Sequence, residues 1–145
     1  MNHLLLARLA LSSLCTIQGI ATLAIDLNRT HATNPTWPGH ARFHLVWQSL
    51  SVALFSIVEL MLIWSRSPNQ NVAFYFAVLL AGVSPLGFLI AFAGRRVFHG
   101  TLSDSNGIPP VSLALFGKRV SVDLNFAAVV AALISIAAIV WIYRI

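Results

Sequence analysis

Charge is what this sequence has least of: four acidic residues and nine basic ones make it 9% charged against 58% hydrophobic. A soluble domain carries roughly a quarter charged residues. That excludes an ordinary soluble protein and places most of the chain in lipid. Cysteine is almost missing as well. The single Cys15 lies inside an apolar run and can form no intrachain disulfide, so it reads as a packing residue. The amino-terminal run lacks the basic leader of a secretory signal and continues to Asp26, too long for a signal core. A bulky Leu14 stands where a lipoprotein signal needs a small residue before the cysteine. The run therefore reads as a retained first helix. The formal charge of +5 is no nucleic-acid footprint, because the basic residues stand singly at the ends of apolar runs, where they meet headgroups.

What is present is long apolar stretches. Four of them approach the ~20 residues that cross a bilayer core, and they predict helices over about 4–26, 40–64, 71–94 and 125–144 in one domain, 1–145. The fold class is an all-α membrane protein, a four-transmembrane-helix bundle. The short polar turn 65–71 makes the second and third helices antiparallel neighbours. Since direction alternates, both longer connections emerge on one side of the membrane. In the last connection, the turn residues Asn106-Gly107 and Pro109-Pro110 precede an alternating run. It extends from Val111 through Phe116, Gly117 and Lys118 to Asp123, and it predicts a small extramembrane β-hairpin over about 111–123. That hairpin is expected to lie over the ends of the bundle as a lid; an amphipathic surface segment is the competing reading.

Within the third helix, Pro85 withdraws an amide from the carbonyl of Ala81 and predicts a kink. The fourth helix carries Ala127, Ala128, Ala131, Ala132, Ser135 and Ala138 at three- and four-residue spacing, which predicts close packing by small side chains.

Polar residues concentrate in the first connection and the helices beside it. His31, His40 and His44 fall within a short span. With Pro38 in the first turn of the second helix, His40 and His44 share a face with Gln48, Ser51 and Glu59. Arg8, Cys15, Gln18, Thr22 and Asp26 form a similar arc on the first helix. Lipid offers a polar group no partner, so the two arcs are expected to face each other, with Arg8 and Glu59 paired near the opposite membrane face.

Three explanations of this cluster stand side by side. A transition metal can be held by His40 and His44 one helical turn apart, completed by His31, His99 or Asp26; the metal set is then His31, His40 and His44. The pair lacks the glutamate of a zinc-protease helix, and five histidines are too few for the di-iron boxes of membrane desaturases. Alternatively, Asp26, His31, His40 and His44 are catalytic acids and bases acting on a lipid-like or isoprenoid-like substrate, since imidazole ordinarily titrates near neutrality. Gln18, Asn34, Trp37, Arg42, Gln48 and His99 then bind substrate, with Arg42 holding an anionic headgroup or diphosphate. In the third, the same residues merely tie the loop to the helix ends, and Trp37 anchors at the interface.

The run Thr30-His31-x-x-Asn34-Pro35-x-Trp37-Pro38-x-His40-Ala41-Arg42-Phe43-His44 resembles a family of small, uncharacterised four-helix membrane proteins of bacteria and fungi. The resemblance covers the first connection and the start of the second helix; it implies a four-helix membrane fold and assigns no activity. Sterol-isomerase-like proteins also place acidic residues in their first two membrane helices, as Asp26 and Glu59 do here, but share no further motif. The arginine-rich second-helix signature of the glutathione-using enzymes of eicosanoid metabolism is not present.

Two functions follow as expectations. The first is a small membrane enzyme with a histidine-rich site at one membrane face. The second is a non-catalytic subunit of a larger membrane complex, docking other membrane protein subunits through its apolar surfaces, with a histidine ligating a pigment or haem. The long connections hold Arg29, Arg42, Arg95, Arg96, Lys118 and Arg119, against Arg8, Arg66 and Arg144 opposite, so the positive-inside tendency puts the histidine face in the cytoplasm.

Overall fold

In the computed structural model, which describes residues 2–66, 68–103, 108–115 and 117–145, the chain forms α1 (His3–Asp26), α2 (Gly39–Ile63), α3 (Gln70–Gly94), β1 (Val111–Leu115), β2 (Lys118–Val122) and α4 (Leu124–Arg144). Each helix has the length and apolar composition to cross a membrane. At 1.5 Å per residue they reach roughly 31–38 Å, enough for a hydrocarbon core of ~30 Å. Their outward faces carry large apolar side chains, with Met61 71% and Ile90 75% exposed. Burying such surface is the task of lipid, and the chain is a multi-pass membrane protein.

Local chemistry sets the helix starts. The Asn2 side chain accepts from the Leu4 amide at 3.0 Å, and Asp123 accepts from the Phe126 amide at 2.9 Å, each satisfying an amide that the helix itself cannot. Pro38 stands at the N-cap of α2, just before its first turn.

The four helices form a ring in which α1 packs on α2 and α4, α2 on α3, and α3 on α4, leaving α1 and α3 nearly diagonal. The α1–α2 seam is made of small and polar residues. Cys15 and Gly19 of α1 are buried, as are Ser49, Ser56, Glu59 and Ile63 of α2. A Cβ added at Gly19 would stand 2.7 Å from Ser56 Oγ and 3.0 Å from Ser56 Cβ. Gly19→Ala should therefore push the two helices apart and lower stability by roughly 1–2 kcal/mol, measured by denaturant titration in mixed micelles; an unchanged midpoint would show that the seam has slack.

Across the ring, Gln18 of α1 donates to the Ala81 carbonyl at 3.3 Å. This is the carbonyl that Pro85 deprives of its intrahelical amide, so a side chain from the diagonal helix replaces the lost partner. The α3–α4 pair is closed at the short-turn face by the Tyr143 ring stacked on Phe74, centroids 3.7 Å apart, and by the Tyr143 hydroxyl donating to Asn71 Oδ1 at 2.7 Å. Tyr143→Phe keeps the stack and loses the hydrogen bond, so a loss of about 1 kcal/mol is expected in the same titration.

The small residues of α4 divide between its faces. Ile139 and Tyr143 are its buried residues, Ala127, Ala132 and Ser135 are half-buried, and Ala128, Ala131 and Ala138 are exposed. Toward α3 rings make the contact, Tyr143 on Phe74 and Phe126 beside Phe92.

β1 and β2 pair antiparallel, with Leu113 opposite Val120 and Leu115 opposite Lys118. The tight turn is possible because Gly117 takes φ +76°, a conformation that favours glycine. The expected turn at Asn106-Gly107 and residue Phe116 lie outside the described residues. The hairpin is no lid. Val111, Leu113 and Val120 are all exposed, because a two-stranded ribbon has two faces and neither is pressed on the bundle here.

Candidate functional site

Twelve residues, 27–38, connect α1 to α2, and they fold by two successive asparagine turns. Asn28 Oδ1 accepts from the Thr30 amide at 2.8 Å and from Thr30 Oγ1 at 2.6 Å. Asn34 Oδ1 does the same with Thr36, at 3.0 and 2.8 Å. Short polar side chains that mimic a backbone turn are the expected device in such a loop. Backbone bonds complete the fold, among them Ala32 N to Asp26 O at 2.9 Å and Trp37 N to Asn34 O at 3.2 Å. Asn34 is buried, and its Nδ2 donates to the Thr30 carbonyl at 3.1 Å. It therefore pins the loop, with both ends of its amide engaged.

Counting protons along this loop fixes the state of His31. The Asn28 amide is oriented twice over, since its Nδ2 donates to the Ala24 carbonyl at 3.2 Å while its Oδ1 takes the Thr30 amide. The one proton of the Thr30 hydroxyl goes to Asn28 Oδ1. The same hydroxyl oxygen lies 2.7 Å from His31 Nδ1, and with its own proton on Asn28 it accepts from a ring that carries Nδ1–H. In the neutral ring of that tautomer, Nε2 keeps its lone pair. An orienting partner on one ring nitrogen that frees the other is the arrangement found around catalytic and metal-binding histidines.

His31 lines a recess of about 170 Å³ at the loop face, together with Trp37, Thr101, Leu102, Ser103, Ile108 and Asn125. Trp37 stands edge-on to the imidazole, centroids 5.5 Å apart. The walls thus come from the first connection, the last connection and the first turn of α4. Hydroxyls and an amide surround the ring, and an indole supplies an apolar side.

The other expected site residues are placed elsewhere. His40 and His44 pair with each other, Nε2 to Nε2 at 3.0 Å, and both are exposed. Around the helix, at 100° per residue, they lie about 180° and 140° from the buried Ser49, which is why the seam excludes them. His44 packs beside Phe43 and Trp47, in the manner of an interfacial aromatic belt. Gln48 is also exposed. The three-histidine metal set is not assembled, and no group of three His, Cys, Asp or Glu side chains close enough to hold a metal occurs among the described residues. Asp26 is tied to Ser49, whose Oγ lies 2.7 Å from Asp26 Oδ2, and so links α1 to α2. Gln18 is engaged with Ala81. Arg42 is half-buried, and His99 is exposed with φ +56°.

The expected Arg8–Glu59 pair does not form. Arg8 Nη2 donates to Gln70 Oε1 at 2.7 Å, and Arg8 Nε and Glu59 Oε2 are both buried without a hydrogen-bond partner. Helical side chains lean toward their own N-terminus. In antiparallel α1 and α2, that turns Arg8 toward the short-turn face and Glu59 toward the opposite one, against the thiol of Cys15.

Sequence reasoning missed Asn28, Thr30, Thr101, Ser103 and Asn125. The first two carried a signal, because Asn28-Arg29-Thr30 and Asn34-Pro35-Thr36 repeat one turn-forming pattern six residues apart. The recess residues had none, since an irregular connection has no periodicity to read.

The loop face is rich in cations. Arg29, Arg42, Arg95, Arg96, Lys118 and Arg119 stand in its connections, and among the described residues its two carboxylates engage neutral partners instead of them, Asp26 the Ser49 hydroxyl and Asp123 the Phe126 amide. Such a face attracts anionic headgroups. Compared with protein-family models, with curated proteins and with solved structures, the chain matches none, so the geometry of this recess carries the functional reading.

Proposed function

We propose that the protein is a small membrane enzyme that performs acid/base chemistry on the polar end of a lipid-like substrate, with His31 as the general base. The observation that carries this reading is the Asn28–Thr30–His31 relay, which leaves a lone pair on an imidazole lining a recess at the membrane surface. In the reaction, Nε2 takes a proton from a substrate hydroxyl, an acidic C–H, or a water held by Thr101, Ser103 or Asn125. The resulting imidazolium keeps its Nδ1–H on Thr30, whose oxygen shares the positive charge. Nε2 then returns the proton to the product. The loop-face cations hold the substrate's headgroup at the surface and, by the positive-inside tendency, put this face in the cytoplasm.

The test is direct. The protein reconstituted in bilayers is incubated with a total polar-lipid extract, and lipid composition is followed by mass spectrometry. A lipid species consumed by the wild type and spared by His31→Ala supports the reading. An unchanged extract, or equal consumption by both proteins, overturns it.

A further inference from the structure

The polar recess shares a wall with a second cavity. Thr101 and Leu102 line both. The second measures about 150 Å³, and its other lining residues are Phe88, Ala91, Phe92, Arg95, Phe98 and Gly100. Chain geometry builds it on purpose-made local terms. The Gly100 amide returns to the Arg95 carbonyl at 2.8 Å, His99 accepts a left-handed φ, and a Cβ on Gly100 would collide with the Phe98 ring. Glycine there leaves room for that ring at the mouth of the cavity.

Arg95 is the one charged group among the described residues that line this aromatic pocket. Its guanidinium lies 4.1 Å over the Phe92 ring, and Nη1 donates to the Phe92 carbonyl at 2.8 Å. A guanidinium has five N–H donors, so most remain for a ligand, and no described carboxylate takes them. A half-buried cation on an apolar wall, beside a polar recess, is complementary to an amphiphile with an anionic group at the junction of head and chain.

We infer that the two cavities form one bipartite site for a phosphate-bearing single-chain lipid, a phosphate ester of an aliphatic or isoprenoid alcohol. Its first carbons lie among Phe88, Phe92 and Phe98, and its phosphate, the polar end, meets Arg95 and faces the His31 recess at the shared Thr101–Leu102 boundary. This space of about 150 Å³ is open at its side, so the first few carbons enter and the rest of the chain stays in the bilayer. Ala91 and Phe98, both exposed, leave a lateral way out. This inference rests on the reading of the His31 recess as the place of chemistry.

The experiment uses the full chain in phosphatidylcholine nanodiscs, with Trp37 left as the sole tryptophan by Trp47→Phe, Trp64→Phe and Trp141→Phe. Its fluorescence is titrated with dodecyl phosphate, dodecanol and sodium phosphate. Dodecyl phosphate should saturate the signal, dodecanol should bind at least tenfold more weakly, and sodium phosphate should neither bind nor compete in the millimolar range. Arg95→Gln should weaken dodecyl phosphate at least tenfold. Ala91→Phe, which narrows the groove from an exposed position and adds no second tryptophan, should do the same without touching the charge. Equal binding by dodecanol, equal competition by free phosphate, indifference to both substitutions, or no saturable response would each overturn the inference. The two readings fail separately. Dodecyl phosphate binding without turnover of any lipid sinks the catalytic role of His31 and leaves this site, whereas turnover without such binding does the reverse.

Discussion

Thr30→Val should lower kcat roughly 10- to 100-fold while leaving KM nearly unchanged, and Thr30→Ser should restore it. Valine keeps the volume and the branched shape of threonine and removes the oxygen that fixes His31 Nδ1–H. That oxygen also accepts from the imidazolium once the base has taken its proton, and a hydrogen bond to a charged group is worth about 1.5–3 kcal/mol, which converts to that range at ~1.4 kcal/mol per tenfold. His31→Ala removes the base itself and should cost about 100- to 10,000-fold. Asn28→Ala belongs to the same series, because without Asn28 Oδ1 the Thr30 proton is released and the hydroxyl can turn its donor toward Nδ1, reversing the tautomer. A purely architectural loop would respond differently. Thr30→Val would then reduce stability and KM-dependent terms together, serine would rescue no more than stability, and the relay would have no catalytic meaning.

The sequence displays the membrane architecture because lipid imposes one coarse requirement, about twenty apolar residues per span, and all four spans meet it. The hairpin is similarly readable from alternation around Gly117. What the helical arcs did not reveal is which arc faces a neighbour. His40, His44 and Gln48 share a face, but α1 packs on the face marked by Ser49, Ser56 and Ile63, seven residues apart. Small residues opposite Gly19 decided that contact, since backbones approach where side chains are short. The Arg8–Glu59 expectation failed on direction. Equal depth of two Cα atoms does not bring two side chains together when antiparallel helices lean them apart.

In the site itself, the histidine count pointed to the first connection, which holds His31, and to a metal set that the described residues do not assemble. His31 was legible as a candidate; its partner Thr30, one residue earlier, stood in the same motif but with no role to read from it. Five histidines drew attention to each other, whereas the loop satisfies itself through asparagine and threonine at two-residue spacing. Recess residues such as Ser103 and Asn125 are joined to His31 only by tertiary structure.

Glu59→Met should stabilise the protein, by roughly 1–3 kcal/mol in a denaturant titration in mixed micelles, an unusual direction for a change at a fully packed position. Glu59 is 3% exposed, and its Oε2 has no donor among the described residues. A buried acceptor without a partner costs about 1–3 kcal/mol. Methionine has nearly the length of glutamate, bends to fit an irregular space, and asks for no hydrogen bond. Its neighbour on α1 is the equally buried Cys15, whose thiol hydrogen-bonds the carboxyl; that bond is weak, and the thiol is a soft contact for a thioether. Glu59→Gln is the control. It retains an acceptor and adds two donors in the same buried space, so it should gain little or nothing. If Glu59→Met instead lowers the midpoint, the carboxylate is satisfied in the bilayer by a bound water or cation. The α1–α2 seam would then be a polar site that the protein maintains, rather than a residual strain between two helices.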